Sequence, residues 1–155
     1  MARPVCSTLT LTIRKAENAT ELADAARLYE RAGTAAFAWR PAGYFKAEDF
    51  IRFAEEEEVW LALMSGGLLG IISLFRPENF IHCLYVAPEA QRLGVGRSLV
   101  AYLRKETGQP MTLKLDTPNT NAIAFYERTG WTRMTGPDDF GTDAYGINWA
   151  RYRLD

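Results

Sequence analysis

Cysteine and histidine are both scarce in this chain. Its 155 residues hold two cysteines, Cys6 and Cys83, and a single histidine, His82. The two cysteines have no metal-ligand spacing and cannot make a disulfide framework, so no metal is expected and a reducing compartment fits best. Excess charge is missing too. Lysine plus arginine total 18 against 19 aspartates plus glutamates, a formal net charge of −1. No global field therefore draws in nucleic acid or a membrane surface, and any anion binding has to be local. No apolar run approaches the roughly 18 residues of a membrane span. The opening MARPVCSTLTLTIRK lacks the apolar block of a signal peptide. Repeats, low-complexity linkers and composition breaks are absent as well. The expectation is a cytoplasmic protein with one domain over residues 1–155, of which residues 1–8 form a flexible N-terminus.

What is present is ordinary globular composition, 48% apolar and 24% charged, in a chain long enough to bury a core without staples. STLTLTIRKA alternates at period two and reads as an opening strand. TELADAARLYERAGTAAF sets Leu22, Ala25, Ala26 and Tyr29 at helical spacing, with Thr20 as a candidate cap. FKAEDFIRFAEEEE predicts a shorter helix, and its acidic run Glu55 to Glu58 reads as a solvated helix end. VWLALMSGGLLGIISLF gives two strands split at Ser65-Gly66-Gly67, a hairpin signal. NFIHCLYVAP is a strand closed by Pro88, and a helix over Val95 to Thr107 is stopped by Gly108 and Pro110. MTLKLD, NTNAIAFYERTG, WTRMT and AYGINWARYRL follow as strand, helix, strand and strand. The order βααβββαβαββ implies an α/β (α+β) fold, a mixed sheet of about seven strands with helices on both faces.

The segment LYVAPEAQRLGVGRSLV places Gly94 and Gly96 where a strand gives way to a helix, between Arg92 and Arg97. One reading is a plain turn. The other is an anion seat, where side-chain-free backbone N–H groups and the helix dipole converge on a phosphate. It is neither a Rossmann fingerprint nor a Walker loop, since the third glycine and the Gly-Lys-Ser/Thr are missing.

QRLGVG fits the pattern Gln/Arg-x-x-Gly-x-Gly/Ala of the GNAT superfamily of acyl-CoA-dependent N-acyltransferases. LYVAPEA before it resembles that family's central strand. NTNAIAFYERTGW resembles its second signature through Asn119, Ala122, Tyr126, Gly130 and Trp131. The element order agrees over residues 9–154. The resemblance implies the GNAT fold, acetyl-CoA as co-substrate and an acetyl transfer to a primary amine of a small molecule. It also implies that main-chain groups of Leu84, Tyr85 and Val86 pair with the pantetheine arm. The pyrophosphate would be held by Arg92, Leu93, Gly94, Val95, Gly96 and Arg97, with Ser98 nearby, and Asn119 would meet the cofactor arm. Asn121 has no counterpart and reads as a cap or turn residue.

By the same resemblance, Tyr126 matches the residue near the thioester sulfur, where a departing thiolate needs an acid; the alternative is a packed helix tyrosine. The base is open. Some members carry a glutamate where this chain has Phe80. His82, two residues on and on the same strand face, resembles the second of two strand histidines in a family member and titrates in a suitable range; the alternative is a packing histidine. Trp39, Tyr44 and Phe45, with Trp149 of the last strand, either line the acceptor pocket or pack helices onto the sheet. Rival functions are acetylation of protein N-termini or lysines, and a catalytically silent acyl-CoA-binding module. The partner expected is a small-molecule or peptide amine, with no nucleic acid and no membrane; a homodimer stays open.

Overall fold

The computed structural model describes residues 10–155. The expected flexible segment 1–8 and Cys6 therefore lie outside the described residues. The opening alternation becomes strand β1 (Thr12–Lys15). Helix α1 (Ala19–Ala36) follows, burying Ala25, Ala26, Leu28, Tyr29 and Ala32. Its cap is Asn18, whose side chain accepts the Glu21 N–H, and not Thr20, which lies inside the first turn. Helix α2 (Ala47–Ala54) turns Phe50 into the core.

Strands β2 (Glu58–Met64) and β3 (Gly67–Phe75) form the expected hairpin. Its two loop residues, Ser65 and Gly66, have φ of 51° and 78°, the left-handed pair that matches strand twist in two-residue turns. Strand β4 (Phe80–Val86) leads to helix α3 (Val95–Thr107), strand β5 (Met111–Asp116) and helix α4 (Thr120–Arg128). Strands β6 (Thr132–Arg133) and β8 (Asn148–Leu154) enclose one strand that the sequence reading missed, β7 (Phe140–Thr142), inside the Gly/Asp/Pro-rich loop.

The sheet runs β1-β2-β3-β4-β5-β8-β6, with β7 also on β8. Every pairing is antiparallel except β4 with β5, which flank the α3 crossover. Helices cover both faces. A Cβ on Gly70 of β3 would come within 2.8 Å of Val95 and 3.1 Å of Leu99, so α3 lies directly on that side. Tyr85 of β4 instead meets Tyr29, Phe37 and Phe45 from the α1 side. Leu61, Ile71, Ile72, Leu74, Leu99, Leu103 and Trp60 are almost wholly buried. Each aliphatic side chain taken from water contributes about 1.5–3 kcal/mol, and together they fix the central strands.

Candidate active site

The site begins where the sheet comes apart. β4 and β5 pair only at Phe80 with Thr112 and Ile81 with Leu113. Beyond Ile81 the β5 backbone goes on pairing with β8, from Met111 to Asp116. β4 goes on pairing with β3, Leu84 with Ile72 through Val86 with Gly70. The edge of β4 facing β5 is therefore uncovered by β5 from His82 to Val86, with the Val86 carbonyl accepting from Gln91 Nε2 at 3.1 Å. Unpaired main-chain groups on a strand edge can accept an extended guest chain as an extra strand. Leu84, Tyr85 and Val86 lie along this edge, half-buried.

The open backbone continues into the glycine turn. Arg92 and Gly94 take left-handed φ values of 68° and 77°. Gly94 is the N-cap of α3 and offers no side-chain cap, and the first main-chain bond inside the helix start runs from Ser98 N–H to the Gly94 carbonyl. Among the described residues, none accepts a hydrogen bond from the N–H groups of 92–97. Neither Arg92 nor Arg97 has an ion-pair partner there. Donors that meet no acceptor among the described residues, at the positive end of a helix, have the chemistry to meet an anion. Gly96 faces the gap between β4 and α4: a Cβ there would sit 3.6 Å from Val86 and 3.6 Å from Phe125.

Helix α4 borders the slot. Asn119 caps it, its Oδ1 accepting the Ala122 N–H at 3.2 Å, which leaves its amide N–H2 as the group able to face a ligand. Asn121, read as a cap from the sequence, is instead an exposed residue inside the helix. Tyr126 is only 6% exposed and packs edge-on against Phe125 and Trp131. Burial, and then the nearby Cys83 thiol, push its phenol above the ordinary value, so at neutral pH it keeps its O–H as a donor. Cys83 follows His82 in β4; burial pushes its thiol up to about 12, which leaves it inert.

His82 stands at the apex. In the β3–β4 pairing Ser73 opposes Cys83 and Leu74 opposes Ile81, so His82 is an extra, bulged residue. Bulges re-aim side chains. Here Ile81 and Cys83 go to opposite faces, as Leu74 and Ser73 do, instead of sharing one as strand alternation would require. Buried Ser73 supports the irregularity, its Oγ accepting the Cys83 N–H at 3.1 Å. The His82 ring lies 4.5 Å from Phe53 of α2 and stacks with Phe80 at 6.5 Å. Its Nδ1 is 2.7 Å from Oε1 of Glu57. The acidic run is a solvated helix end only at Glu55 and Glu56, which are exposed at the close of α2. Glu57 is buried against His82, and Glu58 opens β2 and pairs with Lys15 and Arg76.

On the α1 side of the slot, the loop between α1 and α2 carries an arginine the sequence reading missed. The Arg40 side chain, 6% exposed, reaches Asp116 at the end of β5 through Nε (3.0 Å) and Nη2 (2.8 Å), and Asp143 before β8 through Nη1 (2.7 Å). Trp39 Nε1–H donates to the same Asp116 at 2.9 Å. The guanidinium lies over Tyr44 at 4.6 Å and near Tyr145 at 5.9 Å. Partial burial raises the Asp143 carboxyl, but the Ile147 and Tyr145 N–H groups and Arg40 more than reverse this and hold it below its usual range. Of the aromatics expected at an acceptor pocket, Trp39 and Tyr44 are half-buried in this network. Phe45 is not at the surface: it packs in the core against Tyr29, Phe37 and the Gly33 backbone. Trp149 lies under Lys114 and against Gly141.

A separate hollow of about 650 Å³ lies between α1 and the β2–β3 hairpin. Its charges are paired, Arg14 with Glu21, Arg27 with Asp24, and Arg31 with Glu89 outside it. Among the described residues no cluster of three His, Cys, Asp or Glu is placed to hold a metal, and no helix is long and apolar enough to cross a membrane.

Residues 19–131 match the acetyltransferase (GNAT) family. The chain is 32% identical over 119 residues to the mycothiol acetyltransferase of Geodermatophilus obscurus, covering 73% of this chain and 33% of that one. It is 33% identical over 72 residues to the peptidyl-lysine N-acetyltransferase YiaC of Escherichia coli, covering 46% and 48%. The chain thus spans between a third and about half of the length of these curated relatives. The solution structure of apo-form YjaB from Escherichia coli shares the fold, with a TM-score of 0.74, 19% identity, and 94% and 97% of the two chains covered.

Proposed function

The chain belongs to the acetyltransferase (GNAT) family, and on that premise we propose that it transfers an acetyl group from acetyl-CoA to the primary amine of a small molecule. The observation that carries the proposal is the β4 edge that β5 leaves uncovered from His82 to Val86, where only the Val86 carbonyl is met, by the Gln91 side chain, followed by the N–H groups of 92–97. A long ligand with an amide-bearing arm and a diphosphate matches both parts in order. When bound, acetyl-CoA supplies the activated acyl group and a thiolate leaving group. The chain supplies the rest. The β4 edge aligns the arm; the seat before α3 neutralises the diphosphate, aided by Arg92 and Arg97. The Tyr126 O–H donates a proton to the departing sulfur, and His82 takes one from the incoming ammonium.

The acceptor enters from the α1 side, past Trp39 and Tyr44. Asp116 and Asp143 at this mouth are both hydrogen-bonded to Arg40, which leaves the trio one net negative charge. Neither carboxylate is without a partner, and the half-buried rings of Trp39 and Tyr44 favour a small amine with an apolar or aromatic body. The test is thiol release from acetyl-CoA across a panel of aromatic amines, polyamines, lysine peptides and free N-termini. Turnover confined to small amines supports the proposal. Turnover of peptides alone makes the chain a protein acetyltransferase. Tight acetyl-CoA binding with no turnover makes it a silent binding module.

A further inference from the structure

We infer that Glu57 is a positioning residue that holds His82 in the tautomer with its proton on Nδ1, leaving the Nε2 lone pair as the basic atom at the slot. The inference rests on the reading of His82 as the base, and it assigns a role to a residue 25 positions away in the sequence. Glu57 lies between α2 and β2. Its side chain is 10% exposed, its Oε1 is 2.7 Å from His82 Nδ1, and its Oε2 is buried with no hydrogen-bond partner among the described residues. A carboxylate held out of water with one oxygen unmet is unfavourable unless something nearby gains from its charge. Among the described residues, its one ion pair is to this imidazole.

The surroundings leave the ring one free position. Phe53 stands edge-on at 4.5 Å, Phe80 is stacked at 6.5 Å, and Glu57 takes Nδ1. The side chain is nevertheless 34% exposed, and the nitrogen left to face outward is Nε2. Which ring nitrogen carries the proton is set by the hydrogen bond the other nitrogen makes, and an acceptor-only carboxylate demands N–H on Nδ1. The proton balance is simple. The ammonium loses one proton, Nε2 gains it, and Nδ1 keeps its own, so Glu57 stays ionised opposite an imidazolium. The proton then leaves from Nε2 to water.

His82 is the chain's one imidazole, so nitrogen-15 NMR reads it without assignment ambiguity. The experiment compares wild type, Glu57→Gln and Glu57→Leu at a pH where the ring is neutral, alongside kcat, the KM for acetyl-CoA and His82→Ala. The wild type should show Nδ1–H. Glu57→Gln, whose amide oxygen still accepts, should keep that tautomer with an intermediate kcat. Glu57→Leu should shift the ring to Nε2–H and lower kcat about 10²-fold, the low end of a positioned base's contribution, with the KM for acetyl-CoA unchanged within about twofold. Nε2–H in the wild type overturns the inference without any variant, and so does a Glu57→Leu enzyme with wild-type kcat. If His82→Ala turns over like wild type, the base reading itself fails, whatever the tautomer. A purely structural ion pair would lower the melting temperature and leave the kcat of the folded enzyme unchanged.

Discussion

Arg40→Met tests whether the aromatic loop is held over the slot by one buried guanidinium. The substitution keeps the apolar stem and removes three charge-assisted hydrogen bonds, at 3.0, 2.8 and 2.7 Å. Breaking a fully buried pair from one side costs about 3–5 kcal/mol. Here the stranded partners are partly relieved. Asp116 keeps the Trp39 indole N–H, Asp143 keeps the Tyr145 and Ile147 N–H groups, and their side chains are 15% and 27% exposed. That brings the loss to about 2–3 kcal/mol, and the cation–π contact with Tyr44 adds about 0.5–1 kcal/mol. For a domain of this size each kcal/mol moves the melting temperature by about 2–4 °C. Calorimetry should therefore show Tm falling by roughly 5–16 °C. Because the loop carries Trp39 and Tyr44, the KM for the acceptor should rise several-fold while acetyl-CoA affinity holds, its seat lying on the other side of the sheet. Arg40→Met with Asp116→Asn should cost less than the sum of the two, since the second change removes a stranded charge. A Tm within about 1 °C of wild type, or a parallel loss of acetyl-CoA affinity, would refute this reasoning.

Gly96→Val should fold, since its Cβ would meet Val86 and Phe125 at an ordinary 3.6 Å, yet weaken acetyl-CoA at least tenfold by calorimetry. Gly94→Val should also lose stability, because φ is 77° there and the left-handed region costs a side chain about 1–2 kcal/mol. Unchanged affinity in both would remove the seat. Tyr126→Phe should keep acetyl-CoA affinity and lower kcat at least about 10²-fold; a drop under threefold, with chemistry rate-limiting, would leave Tyr126 a packing residue. Glu21 is held at about 2, first by its hydrogen bonds to Arg14 and then by the Glu17 N–H. A carboxyl depressed in the fold stabilises it fully above the unfolded value near 4.5 and loses that contribution as pH falls through about 2. Urea midpoints of wild type and Glu21→Gln should thus differ at pH 7 and converge toward pH 2; a gap that widens with acid would contradict the pairing.

Local signals were readable because local chemistry set them. Ser65-Gly66 made the hairpin, and Gly108, with φ of 59°, ended α3 where the sequence stops it. Helix starts were harder. Asn18 and Asn119 won the caps over Thr20 and Asn121, since several polar residues near one helix start compete and only the chain's entry angle decides. β7 was hidden because β8 templates it: its residues Phe-Gly-Thr carry no strand pattern, and Gly141 is there so that Trp149 can lie on it. The site divides the same way. The glycine turn and α4 signature are contiguous stretches. Arg40, by contrast, meets carboxylates 76 and 103 positions away, and Glu57 meets His82 across a bulge that depends on Ser73. No window of sequence contains both partners.

The short seam between β4 and β5 bears on how the molecule comes apart. Main-chain bonding crosses from the β1–β4 side of the sheet to the β5–β8 side at two residue pairs. In most sheets the centre is the last part to exchange its amide protons; here the centre is a fault line, with better-bonded strands on either side. A molecule laid into the slot and anchored before α3 bridges that line. It would then act as a splice between two half-sheets, and the amides of 82–86 and 92–97 should gain protection far more than those of β1 or β2.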